Sequence, residues 1–235
     1  MITIIIDNCL IISIMSVILE KKSKQIINNP TKQDNLNLCF LGLNITISKK
    51  SFNDIIANIP LLYQQALNKI QINMLVISPA IYTAIDHYLL DHTNNQIKIN
   101  TVVTILSIHG VGYYFVHKAM HQIHSLRKYH NFHHKFDKYM MPSIGNAVST
   151  EEFLLAYISP FVVGAYLLKP NEINFVIPIA LISVFNNIIH CKELEQIPWS
   201  VYFVSPEQHI IHHEIRDKHY AAPIFNIDYF VENEE

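Results

Sequence analysis

Four apolar stretches, at 72–90, 99–116, 153–169 and 173–190, constrain this chain more than any other feature. Each comes close to the roughly 17–25 residues that carry a helix across a bilayer. DHTNNQ (91–96) links the first pair and KPNE (169–172) the second. Links that short and polar join antiparallel neighbours. The expected fold is therefore all-α: an integral membrane bundle of two helical hairpins. Pro79, Pro160 and Pro178 would break isolated soluble helices, but in a membrane bundle neighbouring helices satisfy the freed backbone groups. The competing arrangement is a soluble, buried helical core. Composition favours the membrane. Only 15% of residues are charged, against the roughly 25% usual in soluble domains, and the mean hydropathy is +0.20.

The N-terminal part divides from the rest. Residues 1–19, MITIIIDNCLIISIMSVIL, lack the basic start and the cleavage site of a secretory signal, so they read as an uncleaved extra anchor. An Asn- and Lys-rich polar linker follows to about residue 50. The expected division is 1–50 as anchor and linker and 51–235 as the membrane domain, with an amphipathic surface helix over 51–71. Lys118, Arg127, Lys128, Lys135 and Lys138 flank the second apolar stretch, and Arg216 and Lys218 lie in the C-terminal segment. The positive-inside rule places both segments in the cytosol. Lys21, Lys22 and Lys24 place the N-terminal arm there too, leaving the sequon Asn44-Ile45-Thr46 unglycosylated.

Both of those cytosolic segments are crowded with histidine. His117 and His121 stand one helical turn apart, and after eight intervening residues come His130, His133 and His134. The spacing i, i+3, i+4 recurs at His209, His212 and His213, while His190 ends the fourth apolar stretch. Residues so spaced project from one side of a helix. Nine imidazoles exceed what one ion of four to six ligands can use, so two adjacent metals fit the count. A hairpin that enters the bilayer and returns would bring the distant boxes together in a helical cap. Neutral rings are tolerable beside an apolar layer, where surplus carboxylates are costly to desolvate. His87, His92, His109 and His124 read as ordinary surface or core residues.

Other chemistries lack their parts. A net charge of −2 excludes the basic footprint of a nucleic-acid binder. Cys9, Cys39 and Cys191 form no CxxC. The zinc-protease pattern HExxH from His213 fails at Asp217, and no paired Glu-x-x-His, GxGxxG, GxxxxGK[ST] or GxSxG is present.

The chain resembles the fatty acid hydroxylase superfamily, which includes sterol desaturases and sterol methyl oxidases. The likeness runs from about 72 to 230. It rests on HxxxH at His117, HxxHH at His130 and at His209, the approach SPEQHIIHH, and the closing segment KHYAAPIFNIDYF. The resemblance implies two iron ions per chain, held by the nine histidines, with no separate general base. It implies O2-dependent hydroxylation or desaturation of a lipid C–H bond, sterol or fatty acyl. Electrons would come from a membrane-bound reductase and a small cytochrome, and the location would be the endoplasmic reticulum or its equivalent, with the histidines facing the cytosol. Asn186 stands where some relatives have a tenth histidine, and is a candidate weak ligand. His219 stands where asparagine is usual, and is a candidate support for a ligating ring. The closing segment lacks the family's tryptophan and Gly-Thr. Two alternatives stay open: a di-zinc metallohydrolase, and a degenerate metal-binding membrane protein.

Overall fold

The computed structural model describes residues 49–231. The expected anchor over 1–19, nearly all of the polar arm, Cys9, Cys39 and the sequon lie outside the described residues. Within them the chain is helical. No strand forms among the described residues, and Phe203 and Phe225 make an isolated antiparallel bridge.

Two amphipathic helices, α1 (Lys49–Asn58) and α2 (Pro60–Ile72), cover the region expected to hold one. Helix α2 passes through a π-helical turn, Asn73–Ile77, into α3 (Ser78–Leu89). The central helix is α4 (Ile99–Gln122). A short α5 (His124–His130) follows, then two 3-10 turns, His133–Phe136 and Pro142–Asn146. Helix α6 spans Thr150–Leu168 with a π-helical section at Phe153–Ile158. Then come α7 (Glu172–Ile189), α8 (Pro206–Ile215) and the terminal turn α9 (Ile227–Val231).

Local chemistry explains where these helices start and bend. The Ser149 hydroxyl caps α6 and the Asn171 carboxamide caps α7, each accepting an otherwise orphaned N–H. Lys169, in the left-handed region at φ 42, ends α6. Pro79 and Pro160 each follow a serine directly after a π-helical section. A proline ring has no N–H and clashes with the carbonyl four residues back, and the wider π turn moves that carbonyl aside. Pro178 sits inside α7 without such a section.

Three helices are long and apolar enough to cross a membrane: Ile99–Gln122, Thr150–Leu168 and Glu172–Ile189. The first apolar stretch, 72–90, is not among them. One of its polar residues serves the interior. Asn73 is fully buried, donating to the Val148 carbonyl and accepting from Thr150 Oγ1, so it pins α2 and α3 to the start of α6.

The two polar links lie side by side. Asn171 and Asn174 both donate to the Gln96 carbonyl, Lys98 N–H donates to Asn174 Oδ1 at 2.8 Å, and Asp91 N–H donates to the Pro170 carbonyl at 2.9 Å. The opposite ends of α4 and α7, which carry His117, His121 and His190, therefore come together at the other pole. There Ile55, Phe136, Met140 and Ile210 form one buried cluster, and Tyr114, Ile189, Val204 and Ala221 form another, flanking the histidines.

Candidate metal centre

All nine histidines singled out by spacing converge. Nitrogens of His117, His121, His130, His134 and His212 lie within 4.8 Å of one another, and so do those of His133, His190, His209 and His213. His121 alone is partly exposed; the other eight are buried. The remaining five histidines, His87, His92, His109, His124 and His219, fall in neither group.

The boxes are divided between the groups in a way that spacing alone did not reveal. His130 and His134 join the five-membered group, while His133 joins the four-membered one. His209 and His213 join the four-membered group, while His212 joins the five-membered one. Neighbouring residues on an α-helix point about 100° apart, so an adjacent pair suits two sites placed side by side rather than one. The first HxxHH is also not one helix: α5 ends at His130, and His133 opens the next 3-10 turn. The second lies in α8, which starts at a capping box in which the Ser205 hydroxyl accepts from Gln208 N–H and the Gln208 side chain accepts from Ser205 N–H. The Ser-Pro-Glu-Gln approach thus sets the helix start one turn before His209.

Backbone carbonyls fix the rings. His117 Nδ1 donates to the Tyr220 carbonyl at 2.7 Å, His190 Nδ1 to Asn186 at 2.6 Å, and His212 Nδ1 to Lys218 at 2.7 Å. Since a carbonyl only accepts, each of these rings keeps its lone pair on Nε2. Yet Nε2 of His117 and Nε2 of His212 stand 3.1 Å apart. Two lone pairs at that range repel, and a shared cation reverses the sign. Metal–nitrogen bonds of about 2.0–2.1 Å place adjacent ligand atoms about 3 Å apart. The donor set fits a metal.

Burial points the same way. Desolvation, with neighbouring rings adding to it, pushes His130, His133, His134, His209, His212 and His213 well below the usual imidazole range, and burial lowers His190 to about 4. These rings are neutral at physiological pH, the form that binds metal. Neither nitrogen of His213 has a hydrogen-bond partner, nor has His209 Nδ1. Leaving a buried polar group unpaired costs about 1–3 kcal/mol. Such a cost is large beside a net stability of about 5–15 kcal/mol, and a metal bound at one His213 nitrogen would offset the cost at that atom.

Of the two candidate supporting residues, Asn186 acts through its backbone: its carbonyl holds His190, and its side-chain amide faces Asn146 Oδ1 at 3.4 Å. His219 occupies left-handed backbone at φ 58, a conformation in which Asn and His are both enriched. The backbone there suits either residue. The carbonyl that holds His212 comes from Lys218, one residue earlier.

Sequence reasoning missed Glu152, whose Oε1 lies 2.6 Å from His130 Nδ1 with both side chains buried. A signal existed: an ionisable residue at the edge of an apolar span is a functional candidate by default. It also missed Gly145, where a Cβ would stand 2.7 Å from His190 Nδ1. Asp228 was seen only as part of a motif. Its carboxylate accepts from the N–H groups of Tyr220 and Ala221, fixing the strand of chain whose carbonyl holds His117. The closing segment therefore braces the site.

One space adjoins the histidines, and a second comes within a helical turn of His190 at Asn186. A polar groove lined by His121, Arg127, His130, His134 and Arg216 opens beside the five-membered group. On the other side an apolar cavity of about 100 Å³ lies among α3, α6 and α7, lined by residues including Tyr82, Ile85, Phe161, Phe175 and Asn186. From Phe175 to Asn186 along α7 is about 16 Å at 1.5 Å per residue.

Fold and site together define a helical protein with membrane-length spans and paired histidine groups able to hold metal ions. The family follows. The fatty acid hydroxylase model matches residues 101–233, more than half of the chain and all nine histidines, and the chain belongs to that family. The stretch 72–90 falls outside the match. No curated protein and no solved structure matches the chain. Membership implies an oxidoreductase of the lipid hydroxylase or desaturase type.

Proposed function

We propose that this chain is a membrane-bound, non-haem di-iron oxygenase that hydroxylates or desaturates a lipid, sterol or fatty acyl, using O2 and external electrons. The observation that carries the proposal is the division of nine imidazoles into adjacent groups of five and four. In this reading His117, His121, His130, His134 and His212 hold one iron, and His133, His190, His209 and His213 the other. Bound iron supplies the O2 activation that no side chain here can provide.

The chain's own residues do the rest. Backbone carbonyls and Asp228 hold the rings with their Nε2 lone pairs inward. The apolar cavity receives the reacting part of the lipid, and its Asn186 end lies one helical turn from His190 in the four-histidine group. The buried wall keeps bulk water from that side. The polar groove beside His121 offers the opposite approach, from the aqueous face, where a reductase and a small cytochrome deliver electrons. The basic residues around 117–138 and at Arg216 and Lys218 support a cytosolic orientation, in the endoplasmic reticulum or its equivalent.

The test is metal content and O2 uptake of the detergent-purified full chain, with lipid profiling of cells that do and do not express it. Two irons per chain, lipid-dependent O2 consumption and a new hydroxylated or unsaturated lipid are expected. Zinc in place of iron, with hydrolysis and no O2 uptake, would replace the proposal with the metallohydrolase alternative. Tight metal without turnover would favour the degenerate one.

A further inference from the structure

Glu152 differs from every other group that touches the histidines. Its N–H donates to the Ser149 hydroxyl at 3.0 Å, fixing the first turn of α6, and the residue is 1% exposed. Oε1 lies 2.6 Å from His130 Nδ1, while Oε2 is buried without a hydrogen-bond partner. Across the same ring, His130 Nε2 stands 2.8 Å from Nε2 of His117 and 2.8 Å from Nε2 of His134. His130 is the one ion-pair partner of Glu152 among the described residues. A carboxylate buried so deeply, with half of its hydrogen-bonding capacity unused, stays charged only with positive charge close by, which a cation on the far side of the His130 ring would supply. Nothing equivalent serves the other group. None of His133, His190, His209 or His213 has a carboxylate as hydrogen-bond partner among the described residues; the one backbone oxygen that holds His190 is neutral.

Building on the dinuclear reading above, we propose that Glu152 is a positioning residue that makes the two metal ions unequal. It holds His130 with Nδ1 protonated and Nε2 aimed into the five-histidine group. Through that ring it lends negative charge to one ion only. A carboxylate on the outer N–H of a ligating imidazole raises the basicity of the inner nitrogen. The ion beside His130 is therefore held more tightly, and its oxidised state is favoured relative to the same site without the charge.

Glu152→Gln tests this, because the amide keeps the shape and a carbonyl acceptor for His130 while removing the charge. The full chain, purified in detergent and loaded with ferrous iron, is titrated against a chromophoric chelator. Midpoint potentials and the Mössbauer spectrum of the 57Fe-loaded protein are recorded alongside. Wild type is expected to hold two ions. E152Q is expected to hold both, with one released about 10–100-fold more readily, one midpoint potential raised, and one of two spectral components altered while the other stays. Glu152→Ala, which also removes the acceptor, is expected to weaken the same ion further; the isosteric variant carries the test if alanine prevents folding. E152Q ions as tight as wild type with unchanged potentials, or two ions weakened alike, would overturn the inference and leave the dinuclear reading standing. A wild-type chain that binds no pair of ions would overturn both.

Discussion

The two histidine groups are built from the same residue type at the same pole of the bundle, yet they face different surroundings. The five-membered group borders a polar groove, includes the partly exposed His121, and has Glu152 behind one ring. The four-membered group is buried throughout. Gly145 presses against His190, and the apolar cavity lies one helical turn away at Asn186. One group adjoins water and charge, the other the apolar interior. The difference teaches a division that identical ligands conceal: one group opens onto a polar groove, and the other lies a helical turn from an apolar cavity.

That division can be broken most severely through the ligands. His212→Ala and His133→Ala are each expected to lower turnover by at least about 100-fold, in line with the cost of removing a group that acts as part of a unit. The variants should differ in what they retain. His212→Ala should keep the ion of the four-membered group, and His133→Ala that of the five-membered group, as elemental analysis of the purified variants would show. Loss of both ions from either variant would mean that the groups are not separate sites.

A smaller effect is expected from Gly145→Val. The added Cβ would lie 2.7 Å from His190 Nδ1 and 2.8 Å from the Asn186 amide nitrogen, so one of them must move. Overpacking of this kind costs about 1–3 kcal/mol, seen as a lowered thermal midpoint. Iron should fall in the four-membered group before the other. Ile182→Phe, smaller again, narrows the apolar cavity without touching a histidine. It should leave iron content unchanged and shift product profiles toward shorter or slimmer lipids; an unchanged profile would argue that substrate enters elsewhere. The smallest expected effect concerns access. Diethyl pyrocarbonate added to the metal-free chain should modify His121 before the eight buried histidines, which mass spectrometry of the digested protein would reveal.

Much of this site could be read from the order of residues alone, because imidazoles at helical spacing beside apolar stretches leave few alternatives. The nine positions that spacing singled out are the nine that converge. What escaped depended on direction or on long range. Periodicity says that His133 and His134 are neighbours, but not that they serve different groups. That follows from the angle between adjacent side chains and from where α5 stops. Glu152 is separated from His130 by a turn-rich segment, and no local pattern announces such a pairing. The stretch 72–90 looked like a span by its length, whereas its Asn73 is spent on fastening helices together. The anchor expected over 1–19 lies outside the described residues.

Anomalous X-ray scattering from the purified, iron-loaded chain, collected at the iron absorption edge, goes most directly to the claim that these imidazoles enclose a pair of metal ions. Two peaks per chain are predicted, one among His117, His121, His130, His134 and His212 and one among His133, His190, His209 and His213. A single peak, peaks away from both groups, or none would contradict the account.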